Sequence, residues 1–246
     1  MPKKAKKEST PKAPPKVFKV KDPDPDSRYA DLHPHLPAPP SLLLIIGSVK
    51  QGKSNLVVNL LCNPDMYKDK FDSVKIISNT LNACPKGKLL NKFFDCEDHY
   101  TDKMITDIVS SQKAFDEDER PSMAIVLDDI LTKDFKKTNQ ASFLATRFRH
   151  YGIGLLAFTT QSFRAVSGLI RNNATDVIIM KQQNQKELEK IDEEFGDMFP
   201  NIFMELYNKA INDAPYSFLY LKLSENPAIA FIRFETKIAE GSKKLY

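Results

Sequence analysis

Gly47-Ser48-Val49-Lys50-Gln51-Gly52-Lys53-Ser54 follows directly on an unbroken apolar run at residues 42–46 and leads into a helical stretch that begins with Asn55. The eight residues fit the pattern G-x-x-x-x-G-K-[ST]. In that pattern the glycines let backbone amides curl round phosphate, the lysine reaches the terminal phosphates, and the last hydroxyl binds the accompanying cation. Strand, glycine loop and helix start, in that order, bring main-chain N–H groups and the positive end of a helix dipole to one anion. The expected ligand is a nucleoside triphosphate, ATP with Mg2+, held by residues 47–55 with Ser54 as a metal ligand.

Outward from this loop, short apolar runs alternate with longer amphipathic stretches, the pattern of parallel strands joined by crossover helices. Strands are expected at residues 42–46, 74–78, 123–127, 153–159 and 177–180, because buried parallel strands read as continuous apolar runs. Helical spacing of apolar residues marks 53–62, 103–115, 139–151 and 163–170. The fold class is therefore α/β, a P-loop NTPase with a mostly parallel central sheet flanked by helices. Beyond Lys181 the pattern changes to helices at 185–195 and near 202–211, then two β-rich runs at 216–223 and 228–234. Ser224-Glu225-Asn226-Pro227 between those runs is a turn composition, which predicts an antiparallel hairpin. No internal repeat is present.

A chain of 246 residues with 41% hydrophobic content can fill one sizeable α/β core. Its formal charge of +4 sits in residues 1–40, which hold nine basic and five acidic side chains and 10 of the 16 prolines. Such a composition predicts a disordered basic arm, one that grips nucleic acid phosphates, serves as a nuclear import signal, or simply solubilises the protein. The organisation read from sequence is thus an arm at 1–40, an ATPase core at 41–181, and C-terminal helices with a hairpin at 182–246. Cys62, Cys84 and Cys96 are odd in number without C-x-x-C spacing, which fits a reduced compartment and structural thiols. The lysine-rich start has no apolar run behind it, and no stretch approaches the ~20 apolar residues of a membrane span, so neither secretion nor a membrane is expected.

A phosphate loop needs a carboxylate to hold the metal and a base to position the attacking water. Met123-Ala124-Ile125-Val126-Leu127-Asp128-Asp129 offers both at the end of an apolar strand, with Asp128 on the metal and Asp129 as general base. The bland reading is two carboxylates in a solvated loop. Asp102, Asp107 and the acidic run 116–119 lack this placement and read as a solvated face. Thr159-Thr160-Gln161 closes the next strand, and Gln161 can both donate to a phosphate oxygen and accept from a water. Its alternative is a satisfied loop amide. His33, His35 and His99 form no ligand cluster.

With these elements in order, and with Thr146-Arg147-Phe148-Arg149-His150-Tyr151-Gly152-Ile153-Gly154 leading into the Gln161 strand, the chain resembles the genome-packaging ATPases of double-stranded DNA viruses, members of the FtsK/HerA superfamily. Thr160-Gln161-Ser162-Phe163 and Ile170-Arg171-Asn172-Asn173 extend the resemblance, which covers roughly residues 42–181. It implies a homo-oligomeric ring, usually a hexamer, that threads double-stranded DNA into a preformed capsid beside a capsid or portal protein. The setting it implies is the virion or a viral assembly site in the host cytoplasm or nucleus. It also implies an arginine contributed by each neighbour, for which Arg149 is the first candidate and Arg171 the second. Much of the superfamily carries Glu where this chain has Asp129. Two alternatives share the same loop: a cellular or plasmid DNA pump or helicase, and a nucleotide-gated DNA-binding scaffold. The N-K-x-D pattern of guanine recognition is missing after the Gln161 strand.

Overall fold

The computed structural model describes residues 27–83, 85–130 and 139–242. The chain runs β1 (Ser41–Ile46), α1 (Lys53–Cys62), β2 (Ser73–Ser78), α2 (Pro85–Leu90), β3 (Asp95–Glu97), α3 (Asp102–Lys113), β4 (Met123–Asp128), α4 (Gln140–Leu144), β5 (Ile153–Thr160), α5 (Gly168–Asn173), β6 (Asp176–Ile179), α6 (Gln185–Phe195), α7 (Phe203–Asn212), β7 (Leu219–Lys222), β8 (Ile229–Ile232) and β9 (Thr236–Glu240). The strands form one sheet in the order β3-β2-β4-β5-β1-β6-β7-β8-β9. The first six in that order run parallel and the last three are joined antiparallel.

Both faces of the sheet are covered, which is why the central strands read as continuous apolar runs. In β1, Leu42, Leu44 and Ile46 point into one core together with residues of α3 to α7. Leu43 and Ile45 point the other way, into a second core with Leu56, Val57, Leu60 and Leu61 of α1. All six residues of β1 are buried. The period of two along each strand thus sorts side chains between two helical layers.

The α/β fold, its mostly parallel sheet and the C-terminal antiparallel strands are as expected from sequence. Four details differ. Strand β3, only three residues, pairs with β2 at the sheet's edge, and β9 turns the expected hairpin into a meander. The stretch 139–151 is not one helix: α4 stops at Leu144, Arg147 leaves helical geometry at φ −136°, and a 3-10 turn at Phe148–Tyr151 follows. That turn ends on Gly152 at φ 67°, where an added Cβ would lie 2.9 Å from the Arg120 side chain. The stretch 163–170 likewise divides into a 3-10 turn, Phe163–Ala165, and the start of α5.

The fourth difference corrects the extent of the arm. Residues 1–26 lie outside the described residues, but 27–40 are tied to the rest of the fold at several points, with Leu36 and Pro37 buried. Leu36 is buried in the second core. The Tyr67 hydroxyl donates to the Pro37 carbonyl at 2.5 Å, and the Lys222 ammonium donates to that of Pro34 at 2.7 Å. The proline density that suggests disorder here accompanies an anchored segment, because Leu36 supplies apolar burial.

Candidate nucleotide site

Order in the sheet decides what meets at its edge. β4, β5 and β1 are consecutive and parallel, so their carboxyl ends lie side by side, and ligands of such sheets bind outside that edge. The phosphate loop leaves β1, Asp128 ends β4, and Gln161 follows β5 between them. Together with Thr80, Pro85, Lys86 and Tyr216, these groups line a cleft of about 740 Å³. The cleft takes in residues 49–55, Asp128, Asp129 and Gln161. Gly47 and Ser48 lie just behind it, at the root of the loop.

The two glycines of the loop are there for different reasons. Gly52 sits at φ 102° as the residue before α1, a backbone region costly for any residue with a Cβ, and its carbonyl accepts the first helical hydrogen bond from Leu56 N at 2.9 Å. A Cβ on Gly47 would come within 2.8 Å of the Met180 Cβ, so this position is closed by proximity to the end of β6. Main-chain bonds fix the loop's root: Gly47 N donates to Thr160 O at 3.1 Å and Ser48 N to Lys181 O at 3.3 Å. The Ser48 hydroxyl accepts from Gln183 N at 2.9 Å. The 10-residue helix α1 then aims its N-terminus into the cleft.

Lys53, the first residue of α1, is buried, and its ammonium donates to the carbonyls of Gly47 at 2.6 Å and Ser48 at 3.2 Å. Burial pushes its pKa down, against the opposing pull of the Asp129 and Asp128 carboxylates. The lysine is therefore held between the carbonyls at the root of the loop and two carboxylates.

Asp128 is also buried, and two hydroxyls hold its carboxylate: Ser78 donates at 2.8 Å and Thr159 at 2.5 Å. Thr159 Oγ1 in turn accepts from Asp129 N at 3.0 Å, so one hydroxyl bridges the two acids. Asp129 sits at φ 55°, outside the strand conformation, and lines the same cleft as Asp128. Gln161 Nε2 donates to Asp129 Oδ2 at 2.5 Å. Ser78, Thr159, Thr80 and Lys86 had no role in the sequence reading. The available signal was a hydroxyl residue at the carboxyl end of β2 and of β5, next to Asp128 across the ladder: Ser78 pairs with Asp128, and Asp128 with Thr159.

Among the described residues no group of three or more His, Cys, Asp or Glu could hold a metal by itself. Magnesium needs no such cluster, since one or two oxygen ligands with phosphate and water complete its shell. The Ser54 hydroxyl and an oriented Asp128 carboxylate on the same cleft suit that mode.

The two arginine candidates lie apart from this cleft. Arg149 is exposed on the 3-10 turn after α4, its guanidinium 5.8 Å from the centroid of the Phe148 ring. Arg171, in α5, pairs with Glu194 at 3.5 Å and lies 5.3 Å from the Phe163 ring centroid.

No family model matches the sequence, and no curated protein does. Solved structures match in fold. The genome packaging NTPase B204 from Sulfolobus turreted icosahedral virus 2, in complex with AMP, aligns with a TM-score of 0.57 at 18% identity, over 78% of this chain and 96% of its own. The DNA-packaging ATPase B204 from Sulfolobus Turreted Icosahedral Virus gives 0.58 at 18% identity, over 80% of this chain and 98% of that one. EssC (ATPases 2 and 3) from Geobacillus thermodenitrificans gives 0.53 at 17%, over 78% of this chain and 39% of that one. The resemblance read from the motifs thus extends to the three-dimensional fold of packaging ATPases.

Proposed function

We propose that the protein is an ATP-hydrolysing motor that drives double-stranded DNA into a viral capsid. The observation that carries the reading is the meeting of Lys53, Asp128, Asp129 and Gln161 at one edge of the sheet, on the cleft that the phosphate loop opens. Support comes from the fold, shared with proteins described as genome-packaging NTPases.

In this mechanism the amides of residues 47–55 and the Lys53 ammonium hold the β- and γ-phosphates. Ser54 and Asp128 would hold Mg2+, which when bound neutralises phosphate charge. Asp129 accepts a proton from the attacking water, and Gln161, already hydrogen bonded to Asp129, orients that water toward the γ-phosphate. Loss of the γ-phosphate changes what Gln161 faces, and β5 carries the change into the sheet.

Arg149 is the arginine offered to a neighbouring copy in a homo-oligomeric ring, because it is exposed while Arg171 is tied to Glu194. Double-stranded DNA and a capsid or portal protein are the remaining partners, at a viral assembly site in the host cell. No helix among the described residues is long and apolar enough to cross a membrane.

The test is Lys53→Ala. It should abolish ATP hydrolysis and leave capsids empty when it replaces the wild-type protein. Filled capsids with the variant would refute the packaging role, and duplex DNA that leaves turnover of the wild-type protein unchanged would favour a nucleotide-gated scaffold.

A further inference from the structure

Tyr216 lines the cleft yet has no part in its phosphate or carboxylate chemistry. It stands in the connection from α7 to β7 with 68% of its surface exposed. Its backbone adopts φ 63°, a left-handed conformation that is an outlier for a bulky residue and clusters at functional sites when it occurs. Ser217 N donates to Ala214 O at 3.1 Å and closes the turn that holds it there. Phe218, two positions on, is buried.

Topology puts the ring in a particular place. β7 runs antiparallel to β6 with Leu219 opposite Ile179, so the chain enters β7 at the same edge from which the phosphate loop leaves β1. A Cβ placed on Gly52 would lie 3.4 Å from both Cβ and Cδ1 of Tyr216, so the ring flanks the loop. In the sheet order, Asp128 and Asp129 belong to the β4 side of β1, and Tyr216 to the β6–β7 side. A triphosphate whose terminal phosphate faced Lys53 and the two acids would have Tyr216 on the opposite side of the loop to receive its nucleoside end, within the same cleft.

We propose that Tyr216 is the base platform of the site, its ring stacking against the nucleobase and favouring the larger purines over pyrimidines. The proposal rests on the nucleotide-binding reading of residues 47–54. Stacking on an aromatic face tolerates any base but scales with the area covered, so a two-ring base gains more than a one-ring base.

Tyr216→Asn removes the ring with a residue that suits a positive φ, and Tyr216→Phe keeps the ring without the hydroxyl. The expected result is a KM for ATP raised about tenfold in the Asn variant with kcat within about twofold, and a near-wild-type KM in the Phe variant. Inhibition by inorganic tripolyphosphate, which has no base, should be the same in all three proteins, and the CTP-to-ATP ratio of KM should fall toward one in Tyr216→Asn. An unchanged KM for ATP in Tyr216→Asn would overturn the proposal. So would equal weakening of ATP and tripolyphosphate, which would make Tyr216 a prop for the loop. The chain has no tryptophan, so Tyr216→Trp adds a single indole, and its fluorescence should respond to ATP but not to tripolyphosphate. A wild-type protein that binds neither ligand would instead overturn the nucleotide site itself, and the platform with it.

Discussion

Thr159→Val is the sharpest test of how the two acids are held. Valine has nearly the shape of threonine and leaves no cavity at this fully buried position, so the change removes one hydroxyl and little else. That hydroxyl donates to Asp128 at 2.5 Å and accepts from Asp129 N at 3.0 Å. Losing it leaves Asp128 with the Ser78 hydroxyl and leaves Asp129 N with the Thr159 carbonyl at 3.2 Å. A hydrogen bond to a charged group contributes ~1.5–3 kcal/mol, so stability should fall by about 2 kcal/mol. Residues that orient a metal-binding carboxylate typically matter ~10–100-fold, and kcat for ATP should fall by that factor with KM little changed. Phosphate release at saturating Mg-ATP measures the rate, and thermal unfolding measures the stability. Thr159→Ser, which restores the oxygen, should recover most of both. Wild-type kcat in the Val variant, or equal damage in the Ser variant, would refute the bridging role.

Gln161→Ala should leave nucleotide affinity intact and lower kcat by about a hundredfold, as expected for loss of a group that positions the water; single-turnover kinetics separates the two. Arg149→Ala should silence a pure ring, yet mixing it with Lys53→Ala subunits should restore hydrolysis, because some shared sites then combine a sound loop with a sound arginine. Recovery with Arg171→Ala in its place would reassign the finger. Asp176 gives a pH dependence. Burial pushes its carboxyl up from 3.8 to about 6, against hydrogen bonds from Tyr220 and Thr175. The folded state therefore binds this proton more tightly than the unfolded chain. The resulting stabilisation is complete below about pH 4 and is lost as pH rises through about 6, a change of ~3 kcal/mol. Urea unfolding of Asp176→Asn against wild type should show the difference between them shifting in the variant's favour by that amount between pH 4 and 7.

The legible parts of the molecule were those where one local rule sufficed. The phosphate loop announces itself because Gly47, Gly52 and Lys53 are each demanded by a contact, and β1, β4 and β5 because burial on both faces makes them continuously apolar. Asp128 and Gln161 stand out as candidates by their position after such runs, and both line the cleft. Thr159 was passed over in favour of its neighbour Gln161, since its role appears only when β4 and β5 are laid side by side. Tyr216 was equally hidden, because it reaches the loop through an antiparallel strand some 160 residues away in sequence. Strand β3 is a short polar edge with no hydrophobic signal, and β9 is mostly exposed along its length. The anchoring of residues 27–40 is concealed by a proline-rich average composition, because it rests on the buried Leu36 and on carbonyls of Pro34 and Pro37 whose partners lie far along the chain.

The reversal of strand direction between β6 and β7 gives α6 and α7 a mechanical character. β6 ends and β7 begins at the same edge, Ile179 beside Leu219, so the helical pair is an arch with both feet on that edge. One foot is followed by Met180, which lies close beside Gly47, and the other is preceded by Tyr216, which flanks Gly52. The arch therefore stands beside the phosphate loop at both of its feet.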